Sequence, residues 1–255
     1  MSGYATINGA SKELTAGFAT IGGAWKKLSK GWVTKDGVWK QILSSRLPLS
    51  SLPEGSLVAI NESGSPVLFY LAKHDYESGL NGAGRTLFVR KDCYDTRIWR
   101  SSTFPMVYED SNIDSWLNGD YIALLDSNIQ NAIATTNFYT IKSGGTVATI
   151  NRSAFLLSAT ELGQTSSNIV VEGEAITTAS KIIIANLNGV ATKYWTRSPW
   201  ALSSFSSKAV YITESGAIGN LKISNECGSR PCFTLPSDLT VNSQPNADGS
   251  YTLTI

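Results

Sequence analysis

A pattern of apolar, small and polar positions repeats every fourteen residues at the start of the chain. Its three copies occupy residues 3–14, 17–28 and 31–42. Six columns match in all three copies, and they hold glycine, an aromatic residue, threonine, glycine, lysine, and leucine or isoleucine. Self-similarity at a fixed period indicates a repeated supersecondary unit.

The centre of each copy indicates what this unit is. It carries one of the dipeptides Asn8-Gly9, Gly22-Gly23 and Asp36-Gly37. Such dipeptides tolerate positive φ at both positions and favour a two-residue type I′ turn between antiparallel strands. The sequence therefore predicts three tandem β-hairpins in residues 1–43.

An isolated hairpin is only marginally stable in water, so the three units should stack on one another or on copies in other chains. The aromatic candidates for this oligomerisation or attachment face are Phe18, Trp25, Trp32 and Trp39. A docking surface for carbohydrate or acidic groups is an alternative use of the Trp-Lys pairs. A buried Trp followed by a solvent-facing Lys that discourages edge pairing explains them better.

The repeat ends in a stretch that predicts a linker. Residues 44–56 combine several serines with Pro48 and Pro53, as a semi-extended connector does. Beyond it, residues 57–255 hold many short β-like runs separated by turn signals such as Glu214-Ser215-Gly216. We expect an α+β, β-rich domain there.

Two helices are predicted within this domain. The first starts at Ser111, has Asp114 at the spacing of a capping box, and is divided at Gly119. The second is short, with Ser158 as its N-cap and a glycine five residues later just past its end. Both helices would cover a sheet.

Charge and hydropathy exclude some classes of protein. The net charge is +1, but residues 1–46 hold seven basic residues against two acidic ones, which leaves a net charge of −4 for the remainder. No dense run of Lys or Arg occurs, so we expect no nucleic-acid binding. No apolar stretch is long enough for a membrane span and no signal peptide is recognisable, so we expect no membrane insertion and synthesis in the cytoplasm.

The residues available for catalysis are few. His74 is the only histidine, and no G-x-S-x-G, H-E-x-x-H, Walker A or dinucleotide-binding signature occurs. A zinc site would need His74 to meet Cys93, Cys227 and Cys232, for which the spacing is weak evidence. Whether Cys227 and Cys232 form a disulfide stays open. We expect no enzymatic activity, no metal and no cofactor.

Three carboxylates close in sequence offer another possible site. Glu109, Asp110 and Asp114 could form a calcium site or an acid/base pair. Asp110 and Asp114 are equally natural residues around the start of a helix, and that role is sufficient to explain them.

Two resemblances to known families add to this picture. The G-aromatic-x-T-x-x-G-x-W-K units resemble repeats of bacteriophage tail and other virion structural proteins. Residues 57–239 are similar to a family of uncharacterised domains common in phages and gut bacteria. The motifs that carry this similarity are AKHDYESGLNGAGRTLFVRKDCYD (72–95), IDSWLNGDY (113–121), FLLSATELG (155–163), YWTRSP (194–199) and GSRPCFTLP (228–236). Such domains look like the C-type-lectin-like fold of formylglycine-generating enzymes.

In that fold the region between the late core strands commonly varies with the bound ligand, and it corresponds to residues 197–228. The candidate ligand-binding residues that this implies are Trp200, Ser203, Phe205, Asn220 and Lys222. Rigid aromatic residues among small polar ones make good contact surfaces. A loop folded back onto the core is an equal alternative. Trp195 and Arg197 are assigned to the fold itself.

The resemblances together imply a virion structural protein of the tail-fibre or receptor-binding type. The hairpins would attach to other virion proteins, with the chain as a homotrimer, and the lectin-like loops would bind a glycan or protein of the host surface. One alternative is an architectural decoration protein without a ligand. Another is an oxidase of the formylglycine-generating type, for which Cys227 and Cys232 would be the reactive pair.

Overall fold

The computed structural model describes residues 46–102, 107–142, 145–200 and 207–255 fully, and between residues 3 and 43 it describes the backbone of six strands. These strands are β1 Gly3–Ile7, β2 Ala10–Leu14, β3 Phe18–Ile21, β4 Ala24–Lys27, β5 Gly31–Lys35 and β6 Val38–Leu43. They pair antiparallel two by two, with Ile7 opposite Ala10, Ile21 opposite Ala24, and Lys35 opposite Val38. The turn dipeptides and the side chains of Phe18, Trp25, Trp32 and Trp39 lie outside the described residues, so stacking and trimerisation stay predictions.

The rest of the chain is built mainly from short strands. They are β7 Arg46–Pro48, β8 Leu57–Glu62, β9 Ser65–Lys73, β10 Arg85–Arg90, β11 Thr96–Ile98, β12 Thr136–Ile141, β13 Val147–Arg152, β14 Ala154–Phe155, β15 Asn186–Leu187, β16 Val190–Ala191, β17 Tyr194–Pro199, β18 Lys208–Ile212, β19 Ile218–Lys222, β20 Glu226–Gly228, β21 Cys232–Pro236, β22 Thr240–Asn242 and β23 Tyr251–Thr254. Two small hairpins, β12–β13 and β15–β16, stand apart from two larger sheets.

The larger sheet has eight strands in the order β14-β21-β10-β9-β8-β23-β22-β7. All neighbours are antiparallel except β8 and β23. Its strands β10 and β21 are buried along nearly their whole length, which explains why RTLFVR and CFTLP read as continuous rather than alternating apolar runs.

Part of the predicted linker belongs to this sheet. Arg46–Pro48 forms its edge strand against β22, and Leu49 and Leu52 are buried. A 3-10 turn, Leu49–Ser51, connects the two buried leucines to the strand. Pro48, one of the two prolines that predicted a connector, ends the short edge strand, where a missing N–H does little harm.

The second sheet has five strands in the order β11-β20-β17-β18-β19. Its middle strand β17, YWTRSP, is buried at every residue. Strand β19 forms one edge and β11 forms the other, so side chains from distant parts of the sequence are presented at the two edges of one rigid sheet.

The helices are short. They are α1 Ser78–Asn81, α2 Asn112–Trp116, a π-helical turn Leu117–Tyr121, α3 Ile122–Leu124, α4 Ser127–Ala132 and α5 Ala179–Ile182. The predicted start is confirmed, because Ser111 is the N-cap of α2 and its hydroxyl accepts a hydrogen bond from the Asp114 N–H. The predicted division at Gly119 is wrong. Helical conformation continues from α2 to α3 through the π turn, whose residues Leu117 and Tyr121 are buried and anchor it.

The second predicted helix is also wrong, although its capping box is present. Residues 158–163 form hydrogen-bonded turns. The Glu161 N–H donates to the Ser158 hydroxyl at 3.0 Å, and the Ser158 N–H donates to the Glu161 carboxylate at 2.8 Å. Gly163 then reverses the chain with φ +72°, so the capping motif organises a turn rather than a helix.

A core rich in aromatic residues holds these elements together. Its largest fully buried side chains are Trp99, Trp195, Arg197, Tyr76, Tyr108, Tyr121, Phe69, Phe88, Phe138, Phe155 and Phe233. The architecture confirms a β-rich fold with few helices. No helix in the described part of the chain is long and apolar enough to cross a membrane.

Candidate functional site

The predicted binding residues gather partly at one end of the strand pair β18–β19. The Trp200 N–H donates to the Lys208 carbonyl at 2.9 Å, which fixes the residue that follows β17. Lys208 lies directly opposite Lys222, and Val210 lies opposite Asn220. Trp200 and Asn220 are half-buried, whereas both lysines are exposed. Ser203 and Phe205 lie outside the described residues.

Lys208 is the member of this group that the sequence reasoning missed. A usable signal was present, because the predicted turn centres on Ser215, and Lys208 and Lys222 lie at equal distances before and after it. Equal spacing about a tight turn predicts a directly opposed pair in an antiparallel hairpin.

Two positive charges therefore face each other on adjacent strands. Like charges directly opposite one another destabilise a strand pair. Within the described residues, neither Lys208 nor Lys222 is within ion-pair distance of a carboxylate. The pair thus contributes an uncompensated positive potential beside Trp200, which suits an anionic or hydroxyl-rich partner.

The strongest electrostatic feature of the domain is buried and serves the fold. Arg197 binds both carboxylate oxygens of Glu161, at 2.6 and 2.8 Å. Two further N–H groups of Arg197 donate to the carbonyls of Tyr139 and Leu156 at 2.9 and 2.8 Å. Arg197 and Glu161 are fully buried. The Tyr76 hydroxyl also donates to Glu161, at 2.5 Å. This hydrogen-bonded pair joins β17 to the turn at residues 158–163, as expected for a structural Arg197.

A second buried carboxylate lies near this pair. Glu172 accepts hydrogen bonds from the Ile141 N–H at 3.1 Å and from the Ser198 hydroxyl. Burial raises the pKa of Glu172 to about 6, against the opposing attraction of Arg197. The carboxylate has no exposure to solvent, so it can tune stability but cannot reach a substrate.

His74 is hydrogen-bonded within the domain, and the three cysteines are buried in it. The two ring nitrogens of His74 contact the Leu52 carbonyl at 2.9 Å and the Thr86 hydroxyl at 3.2 Å. All three thiols are buried and none is in a disulfide. Burial raises the pKa of Cys93 to about 11 and those of Cys227 and Cys232 to about 12. A thiol that stays protonated is a poor nucleophile and a poor metal ligand.

The carboxylates that were candidates for a calcium site or an acid/base pair are paired with basic side chains. Asp114 is buried and accepts hydrogen bonds from Arg152 Nε at 3.0 Å. Burial raises the pKa of Asp114, and Arg152 opposes that effect. Glu109 pairs with Lys142. Among the described residues, no three His, Cys, Asp or Glu side chains form a group that could hold a metal ion.

Comparison with known proteins gives one match. A family model described as Domain of unknown function (DUF6273) matches residues 83–237, more than half of the chain. The matched range contains the whole five-stranded sheet and the Arg197–Glu161 pair, and it begins well after β6. No curated protein and no solved structure matches the chain.

Proposed function

The chain belongs to the DUF6273 family, and on that premise we propose that it is a virion structural protein whose domain binds a ligand on the host surface. The observation that carries the proposal is the exposed end of β18–β19. There a fixed Trp200 lies beside the opposed lysines Lys208 and Lys222. The three thiols and Asp114, in contrast, are buried, and His74 is half-buried with both ring nitrogens in contact with protein oxygens.

The N-terminal strands support the attachment half of the proposal. The six strands form three antiparallel pairs, each with two residues between its strands. This is the arrangement expected if each unit that resembles a phage tail repeat is a β-hairpin. Assembly of the chain as a trimer would place several binding domains on one particle. Several weak sites acting together raise avidity without any new contact.

The lectin-like fold is part of the same proposal. Two sheets joined by long irregular segments, with short helices at their margins, agree with the resemblance. Loops held by a rigid scaffold are where binding residues concentrate. The raised pKa values of Cys227 and Cys232 give no support to the oxidase alternative.

The test is binding of the fluorescently labelled full chain to a panel of gut bacterial cells. The double variant Trp200→Ala, Phe205→Ala should lose about tenfold or more of the apparent affinity, since large aromatic residues carry much of the energy of an interface. Val190→Ala is the control, because Val190 is 68% exposed on the separate β15–β16 hairpin. Unchanged binding of the double variant would favour a different surface, and no binding to any cell would favour the architectural role.

A further inference from the structure

An open cleft lies between strand β11 and helix α2, at the opposite edge of the five-stranded sheet from β19. Its volume is about 550 Å³, within the range of ligand-binding pockets. Among the residues that line it are Arg97, Asn112, Ser115, Trp116, Asp120 and Glu226. None of these residues was a candidate from the sequence, because the cleft forms only when β20 brings Glu226 beside β11.

Arg97 and Trp116 lie against each other and form one surface of this cleft. The guanidinium carbon of Arg97 lies 3.7 Å from the centre of the Trp116 ring. Asp95 holds the guanidinium in place through Nε at 3.1 Å and through a second nitrogen at 2.6 Å. Trp116 is only 7% exposed and packs against Tyr94 and Tyr121. The surface is therefore fixed before any ligand arrives.

The charge of the cleft is negative. Asp95 offsets the charge of Arg97, which leaves the exposed carboxylates of Asp120 and Glu226. The Thr96 hydroxyl donates to Glu226 at 3.0 Å and orients it. A cleft of one charge sign attracts ligands of the opposite sign. An anionic ligand is disfavoured here and a cationic one is favoured.

The remaining polar groups can both donate and accept hydrogen bonds. Ser115 offers a hydroxyl and Asn112 offers an amide, the Thr96 hydroxyl can still accept, and all three residues are exposed. The side-chain oxygen Oδ1 of Asn112 accepts a hydrogen bond from the Ser101 N–H at 2.7 Å, which fixes the orientation of the side-chain amide. Hydroxyl-rich ligands match such groups, because each of their hydroxyls also donates and accepts. A lysine ammonium only donates, so lysine side chains could pair with the two carboxylates but could not accept from the Asn112 amide.

We propose that this cleft binds a saccharide that carries free amino groups. The sugar ring packs on the Arg97–Trp116 surface, its hydroxyls bond to Asn112 and Ser115, and its ammonium group faces Asp120 and Glu226. The site is separate from the end of β18–β19. Binding in solution tests it directly, whether or not the chain is part of a virion.

The experiment is calorimetric titration of the full chain with four ligands, each a tetramer of small units. Three are the tetrasaccharides of glucosamine, N-acetylglucosamine and glucose, and the fourth is the peptide tetralysine. The glucosamine tetramer should bind at least tenfold more tightly than the other three. The double variant Asp120→Asn, Glu226→Gln should lose about tenfold or more of that affinity, because it removes both charges and keeps the shapes. Asp238→Asn, a change of the same kind on an exposed turn between β21 and β22, should leave the affinity unchanged.

Three results would overturn the proposal. They are no binding of the glucosamine tetramer at millimolar concentration, equal binding of the neutral tetramers or of tetralysine, and equal loss of affinity in the Asp238→Asn control. Far-ultraviolet circular dichroism of each variant checks that it is folded. Loss of cell binding in the Trp200→Ala, Phe205→Ala variant with unchanged titration would show that the two surfaces are independent.

Discussion

At the scale of single residues, the domain places carboxylates where water cannot reach them and satisfies each one differently. Glu161 has a bidentate guanidinium partner, whereas Glu172 has an N–H and a hydroxyl and only a more distant attraction to Arg197. A buried charge without a direct ionic partner is costly. Glu172 is therefore the weak point of the network at neutral pH.

Glu172→Gln should stabilise the protein at neutral pH. The pKa of Glu172 is about 6 in the folded protein, above its ordinary 4.5. A raised carboxyl pKa gives a contribution to stability that is fully present below pH 4.5 and is lost as the pH rises through about 6. Glutamine keeps the shape without the charge, so the gain at pH 7.5 should be about 2 kcal/mol at most.

Urea unfolding of the wild type and of Glu172→Gln at pH 7.5 and pH 4 measures this gain. The difference in free energy of unfolding should shrink toward zero at the lower pH. Glu174→Gln, on an exposed carboxylate nearby in the sequence, should show little change at either pH. A larger stabilisation by Glu172→Gln at pH 4 than at pH 7.5 would contradict the assignment.

At the scale of elements, local motifs predicted where a capped segment starts better than which secondary structure follows the cap. The Ser111–Asp114 motif correctly gave the start of α2, because capping acts within four residues. The Ser158–Glu161 motif formed both reciprocal capping hydrogen bonds without a helix, and Arg197, 36 residues away, binds the same carboxylate. No local pattern contains that partner. The opposed lysines of β18–β19 were predictable from turn spacing, whereas the β11–α2 cleft was not.

Ser111→Ala should destabilise the protein by about 1 kcal/mol, because it removes the hydroxyl that accepts from the Asp114 N–H and leaves that donor without its cap. Ser115→Ala in the same helix is the matched control, since Ser115 is exposed, and its stability should stay within a few tenths of a kcal/mol of the wild type. Thermal unfolding measures both. Equal effects of the two variants would argue against a capping role for Ser111.

At the scale of the whole molecule, composition and apolar runs predicted a β-rich fold, but sheet order lay beyond them. Strand β7 pairs with β22 and strand β8 pairs in parallel with β23, across almost the full length of the domain. Such pairings depend on long-range packing that one sequence does not display. For the same reason, the predicted linker concealed an edge strand.

The oligomeric state is the property that the N-terminal strands should control. Native mass measurement of the full chain should give a trimer, and removal of residues 1–44 should give a monomer. The truncation stops there because Arg46–Pro48 pairs with β22 and belongs to the domain. A full-length monomer, or a trimer that survives the truncation, would refute the assembly role of the hairpins.

The position of β23 between β8 and β22 has a mechanical consequence. A pull on the chain ahead of Arg46 loads the short edge strand β7, which is held both by the backbone of residues 49–56 that leads to β8 and by the lateral path through β22 and β23. The last strand of the domain, β23, thus links strands β7 and β22 to β8 through hydrogen bonds. Such a load is shared among the four strands β7, β22, β23 and β8.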